Sequence, residues 1–135
     1  MLSWKYIIIP FCAALLSQII KVIIEFIKNK TISISRFIDG MGGMPSTHSA
    51  LVSSLSTIIY INYSASPIFA ITLIFSLIVI YDSMGVRYES GKQAELLNEM
   101  TGSNLEEKIG HKPIETLIGV ILGIVFTIIA NVILK

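Results

Sequence analysis

Gly42-Gly43-Met44-Pro45-Ser46-Thr47-His48-Ser49 combines two glycines, a proline, three hydroxyl side chains and a histidine at the start of an apolar run. A helix start carries unpaired backbone N–H groups and the positive end of the macrodipole, so it attracts anions, phosphate included. A histidine placed there can give or take a proton near neutral pH. The segment therefore reads as a phosphate site with an acid/base group. Further along, His111 and Glu115 lie four residues apart on an expected helix and share a face. Glu115 can accept from one imidazole nitrogen and leave the other to attack phosphorus, which is the logic of an oriented nucleophile. His48 would protonate the leaving alkoxide and later activate water. Lys21, Arg36 and Arg87 supply cations for phosphate oxygens, arginine by its planar fork and lysine as a point charge. Ser46, Thr47 and the backbone N–H groups after Gly43 add neutral donors. Asp82 either pairs with Arg87 or supports a ligand, with the structural role preferred.

These residues need elements to hold them together. Four segments are long enough to cross a bilayer, which takes roughly 17–25 residues of helix. They run from about Trp4 to Ile27, Ser46 to Tyr63, Pro67 to Met84 and Pro113 to Leu134. The last two open on proline, which suits a first helical turn. Five hydroxyl residues (Ser49, Ser53, Ser54, Ser56, Thr57) dilute the second, so it is expected to be the span most surrounded by protein. The connection from Ser83 to Lys112 holds a polar helix over Ser90 to Met100, stopped by Gly102. A capping box, Ser103-Asn104-Leu105-Glu106, predicts another short helix after it. Four spans bring Lys21, Arg36, Ser46, His48, Asp82, Arg87, His111 and Glu115 to one membrane face.

Composition sets the class. The 135 residues are 53% hydrophobic and only 14% charged, where soluble domains carry about 25% charged residues. With a mean hydropathy of +0.78, this is an all-α integral membrane bundle in one domain, residues 1–135. A net charge of +1 and the absence of any basic run interleaved with aromatics argue against nucleic acid as a partner. Cys12 stands alone, which rules out a disulfide framework and a thiolate metal cluster. His48, His111 and the acids lack zinc-ligand spacing, so no metal site is expected. The N-terminal apolar run continues past Gln18 without a small-x-small cleavage site and reads as a retained span. Seven of the Lys and Arg residues lie in the two long connections, against Lys5 and Lys135 on the other face. That bias puts the site face in the cytoplasm of a multi-pass cell-membrane protein. Gly119 and Gly123 form Gly-x-x-x-Gly in the last span, a close-packing stripe that suggests a homo-oligomer.

Pro45-Ser46-Thr47-His48 resembles the Pro-Ser-Gly-His motif of the type 2 phosphatidic acid phosphatase superfamily, which includes the vanadium-dependent haloperoxidases. His111-x-x-x-Glu115 is similar to the His-x-x-x-Asp that ends the third motif of that superfamily. Gly42 to Ala50, Tyr81 to Arg87, Gln93-Ala94, Leu97-Asn98 and Gly110 to Glu115 look like its divergent branch of small membrane proteins. The resemblance implies a helical bundle and a phosphatase that needs no metal or cofactor, works through a phosphohistidine and acts on lipid phosphates in the bilayer. It implies nucleophile, orienter and general acid for His111, Glu115 and His48, and phosphate ligands in Lys21, Arg36, Ser46 and Arg87. The spacing departs from the superfamily pattern in several places. Lys21 stands fifteen residues before Arg36, Phe37 replaces a proline, Thr47 replaces a glycine, and Arg87 stands twenty-four residues before His111. Glu115 replaces aspartate.

Two other readings stand beside the phosphatase. One is a non-catalytic lipid-phosphate binder or transporter that keeps the pocket. The other is a small assembly subunit built on Gly119 and Gly123.

Overall fold

The structure, a computed structural model, describes residues 4–29, 43–107 and 110–134. Five helices and no strand occur among the described residues: α1 (Lys5–Asn29), α2 (Thr47–Tyr63), α3 (Pro67–Met84), α4 (Val86–Thr101) and α5 (Pro113–Ile133). Helices α1, α3 and α5 are long and apolar enough to cross a membrane. The 17 residues of α2 sit at the short end of the spanning range.

Helix α2 is the centre. It packs against α1, α3 and α5, and its buried residues are mostly serine, alanine, valine and isoleucine. Small residues let backbones approach where lipid offers no hydrophobic drive for helices to associate. The hydroxyls then bond across helices. Ser53 Oγ donates to the Val120 carbonyl at 3.2 Å, Ser54 and Thr127 hydroxyls meet at 2.6 Å, and Ser56 and Ser76 hydroxyls meet at 2.8 Å. Each such bond contributes on the order of 1 kcal/mol.

Helix ends follow local chemistry. Ser66 caps α3 by accepting from the Phe69 N–H, with Pro67 in the first turn. Gly85 breaks the chain between α3 and α4, and Gly102 ends α4 in the left-handed region at φ +67°. At one end of the bundle Lys5 Nζ donates to Asn62 Oδ1 at 2.6 Å, and the Tyr6 and Tyr63 rings are 5.8 Å apart. The start of α1 therefore lies beside the end of α2. At the other end the starts of α2 and α5 meet: the Ser46 N–H donates to the Glu115 carbonyl at 3.1 Å.

Two expectations need correction. The polar helix begins about one turn earlier than Ser90, because only Gly85 interrupts the run from α3. The short helix after Gly102 does not form over the described residues 102–107. The Asn98 side chain accepts from the Leu105 N–H at 2.8 Å and donates to the Leu105 carbonyl at 2.9 Å. Those are groups that a new first turn would use. Ser103 meets the Thr101 hydroxyl at 2.6 Å instead of capping.

Gly119 and Gly123 face α2 of the same chain. A Cβ at Gly119 would lie 2.5 Å from the Ser46 carbonyl oxygen, and one at Gly123 would collide with Ser53 Oγ and the Ala50 carbonyl. The stripe is occupied by close helix packing within the bundle. Gly123→Val is accordingly expected to lower stability by about 1–3 kcal/mol or more by overpacking. Thermal unfolding in detergent measures this. An unchanged melting temperature with an altered oligomer on size exclusion would count against the intramolecular reading.

Candidate functional site

The motif between α1 and α2 is held from both sides. Gly43 adopts φ +80°, a conformation that L side chains rarely take. The Lys21 stem lies 3.5 Å from where its Cβ would be. Ser17 Oγ in α1 donates to the Pro45 carbonyl at 3.2 Å. From the opposite side, α5 accepts the Ser46 N–H through Glu115 and lays Gly119 against the Ser46 carbonyl. Ser46 itself is fully buried as the N-cap of α2. Its hydroxyl accepts from the Ser49 N–H at 3.4 Å and from Ser49 Oγ at 3.0 Å. The geometry thus gives Ser46 a capping role through its oxygen.

Lys21 is 6% exposed. A lysine at membrane depth needs partners, and one of them is the threonine that replaces glycine in the motif. Lys21 Nζ donates to Thr47 Oγ1 at 3.4 Å, and the Thr47 hydroxyl donates to Gln18 Oε1 at 2.9 Å. Gln18 was not among the expected site residues. Its signal was available, since Gln18 and Lys21 are three apart and share a face of α1.

His111 is set by backbone. Its N–H donates to the Ser83 carbonyl at 3.0 Å. A Cβ on the preceding Gly110 would collide with the Tyr88 backbone. The chain entering His111 is therefore pressed onto the break between α3 and α4. Ser83, Tyr88 and Gly110 escaped the sequence reading because a backbone contact leaves no mark in residue type, except at the glycine. The imidazole is 3% exposed. Its Nδ1 stands 3.4 Å from Glu115 Oε2, an ion-pair separation longer than a good hydrogen bond. The same oxygen accepts from the Lys112 N–H at 3.0 Å, so Glu115 also closes the first turn of α5. Among the described residues the buried side-chain polar atoms without a hydrogen bond are His111 Nδ1 and Thr116 Oγ1. Native interiors seldom leave such atoms unpaired, and exceptions gather at functional sites. Both lie at the start of α5.

Burial holds the His111 imidazole below its ordinary value, and the Lys21 cation lowers it further. Glu115 opposes the shift, and His48 adds a smaller lowering. His111 is therefore neutral near pH 7 and has a lone pair to offer. The reach of Lys21 and His48 to this ring ties α1 and the start of α2 to the start of α5.

Asp82 and Arg87 lie at the rim. Arg87 Nε donates to Asp82 Oδ2 at 2.7 Å, with the side chains 46% and 37% exposed. This uses one of the five guanidinium donors. Both charges, like Lys21, act on His48, which is half-buried in the first turn of α2. Lys21, Gly43, Thr47, His48, His111 and Glu115 thus converge, Ser46 underpins them, and Arg87 with Asp82 borders them. Arg36 and Gly42 lie outside the described residues. A cavity of about 580 Å³ opens beside His111, lined also by Met84, Tyr88 and Pro113. Two helix starts, a buried lysine and two imidazoles together favour a bound oxyanion and can move its protons.

The two neighbours of His111 are expected to move its titration in opposite directions. Lys21→Met removes a nearby cation and should raise the imidazole pKa, whereas Glu115→Gln removes an anion and should lower it. Histidine ¹⁵N spectra in detergent micelles read both, and shifts of one sign would refute this arrangement. Because the folded imidazole titrates below the unfolded one, wild type should lose stability as pH falls below about 6.5.

No solved structure matches the chain. It is 33% identical over 139 aligned positions to the "Uncharacterized membrane protein YuiD" of Bacillus subtilis (strain 168), covering 87% of each chain. The family model described as "Divergent PAP2 family" matches residues 2–126. By these matches, this membrane protein belongs to the Divergent PAP2 family.

Proposed function

We propose that the chain is a multi-pass membrane phosphatase that hydrolyses a phosphomonoester borne by a membrane amphiphile, a lipid phosphate, through a phosphohistidine and without a metal. The observation that carries this reading is the buried neutral imidazole of His111, its Nδ1 unpaired beside Glu115, within electrostatic reach of Lys21 and His48. Membership of a phosphatase-related family supports it.

In the proposed reaction Glu115 accepts from Nδ1–H, tightening its 3.4 Å approach, and fixes Nε2 as the attacking atom. That nitrogen forms the N–P bond as the P–O bond to the alcohol breaks. His48 passes a proton to the departing alkoxide. It then takes one from water, whose oxygen attacks phosphorus, breaks the N–P bond and releases inorganic phosphate. Lys21, held by Thr47, and the N–H groups at the start of α2 stabilise the charge on the equatorial oxygens. Arg87 would join them by leaving Asp82. The Lys and Arg residues of the two long connections favour a cytoplasmic face for the site.

One observation favours a second reading. Arg87 is engaged by Asp82 at the rim, as suits a binder or transporter that holds lipid phosphate without turning it over.

The assay is phosphate release by purified protein in detergent plus chelator from phosphatidic acid, phosphatidylglycerophosphate and polyprenyl phosphates. Wild type is expected to turn over and to be inhibited by vanadate. His48→Ala should slow it by roughly 10²–10⁴-fold, as loss of a general acid does. His111→Ala should abolish it. Equal rates for wild type and His111→Ala would remove the mechanism. Saturable binding of phosphate headgroups with no release under any condition would select the binder.

A further inference from the structure

Helices α3 and α5 each pack on α2 and scarcely on each other. Between them runs a cleft of about 530 Å³ with α2 as its floor. Its hydroxyl residues turn their polar atoms inward: Ser53 donates to Val120, Ser56 meets Ser76, and Thr57 donates to the Ser53 carbonyl. What faces an occupant is hydrocarbon.

The helix faces that line the cleft lead toward the cavity beside His111. On α3, Leu73, Leu77 and Ile80 line it, and Met84, one turn on along the same face, lines the cavity beside His111. On α5 the stripe runs back from Ile128 through Ile124 and Val120, then by Leu117 to Pro113, again in that cavity. At the far end the Tyr60 and Phe69 rings, 5.0 Å apart, link α2 to α3.

The dimensions select the occupant. Val120 to Ile128 spans about 12 Å of helix, so the cleft offers roughly 45 Å² of cross-section. A helix about 10 Å across fills about 80 Å². The space suits an extended hydrocarbon chain. From Pro113 to Ile128 the path is about 22 Å, more than half of a hydrocarbon core of about 30 Å.

We infer that the α3/α5 cleft binds the tail of the substrate, a single long hydrocarbon chain that passes the bilayer midplane and ends at Tyr60 and Phe69. The inference rests on the phosphatase reading for what sits at the head of that chain. It adds a specificity determinant in which chain length is measured by the distance from His111 to the Tyr60–Phe69 pair.

The test uses full-length protein in detergent with hexadecyl phosphate carrying a diazirine at its terminal carbon. Adducts are expected around Tyr60 and Phe69. Ile124→Trp, and independently Leu77→Trp, fill the cleft from its lipid side. Either should cut labelling and hexadecyl phosphate affinity at least tenfold while changing butyl phosphate less than twofold. Phe69→Ala should carry the adducts beyond the pair. Adducts scattered over the outer face of α1, or equal losses for butyl and hexadecyl phosphate, would overturn the cleft. So would a dimer that either tryptophan converts to monomer, since the cleft would then be an interface. Hexadecanol with the same diazirine separates the two readings. Adducts at Tyr60 and Phe69 from the alcohol, in a protein that neither binds nor cleaves any phosphate, would keep the tail site and remove the phosphatase.

Discussion

The site depends on how closely α2 and α5 approach. Two glycines, Gly119 and Gly123, let the α5 backbone lie on Ser46, Ala50 and Ser53 with no side chain between. At the top of that contact the Ser46 N–H bonds to the Glu115 carbonyl. Because α2 and α5 both begin there, their positive ends face one volume and their dipoles add. His48 follows one start by a single residue, and His111 precedes the other by two. Separate the helices by the width of a methyl group and the hydrogen bond is lost, and with it the registration of the two imidazoles.

Charge is arranged around this contact so that burial and function agree. Lys21 lies at a depth where an ammonium needs company, and Thr47, itself held by Gln18, supplies part of it. The same cation disfavours a protonated His111, and burial does so more strongly. A neutral imidazole next to a fixed cation suits the holding and attacking of a phosphate. Glu115 works against neutrality and lies 3.4 Å from the ring, and its bond to the Lys112 N–H fixes it at the helix start.

Much of the frame is legible in the residues alone. Pro67 and Pro113 mark the starts of α3 and α5, and the serine-rich run marks α2 as the centre, because both signals come from local chemistry. What stays hidden depends on partners remote in sequence. Gly119 and Gly123 announce a close contact, yet nothing local says whether the contact lies within one chain or between two. Ser103 and Glu106 spell a capping box, but Asn98, seven residues before Leu105, already binds the groups that a helix would need. Ser46 also caps α2 by accepting from the Ser49 N–H, a role its motif does not announce.

The departures from the superfamily motif form one set. A glycine in place of Thr47 would leave Lys21 without a hydroxyl acceptor; the threonine supplies one at 3.4 Å. That lysine comes from inside α1, fifteen residues before Arg36, where the superfamily pattern sets its lysine close to the arginine. A cation arriving from within a helix has a fixed direction and a long stem. It therefore needs an anchor near its tip, and the residue just before His48 is where such an anchor also serves the site. Thr47 thus links Lys21 to Gln18 at the residue just before His48. Changing Thr47 to the superfamily's glycine removes that anchor while Lys21 keeps its place in α1.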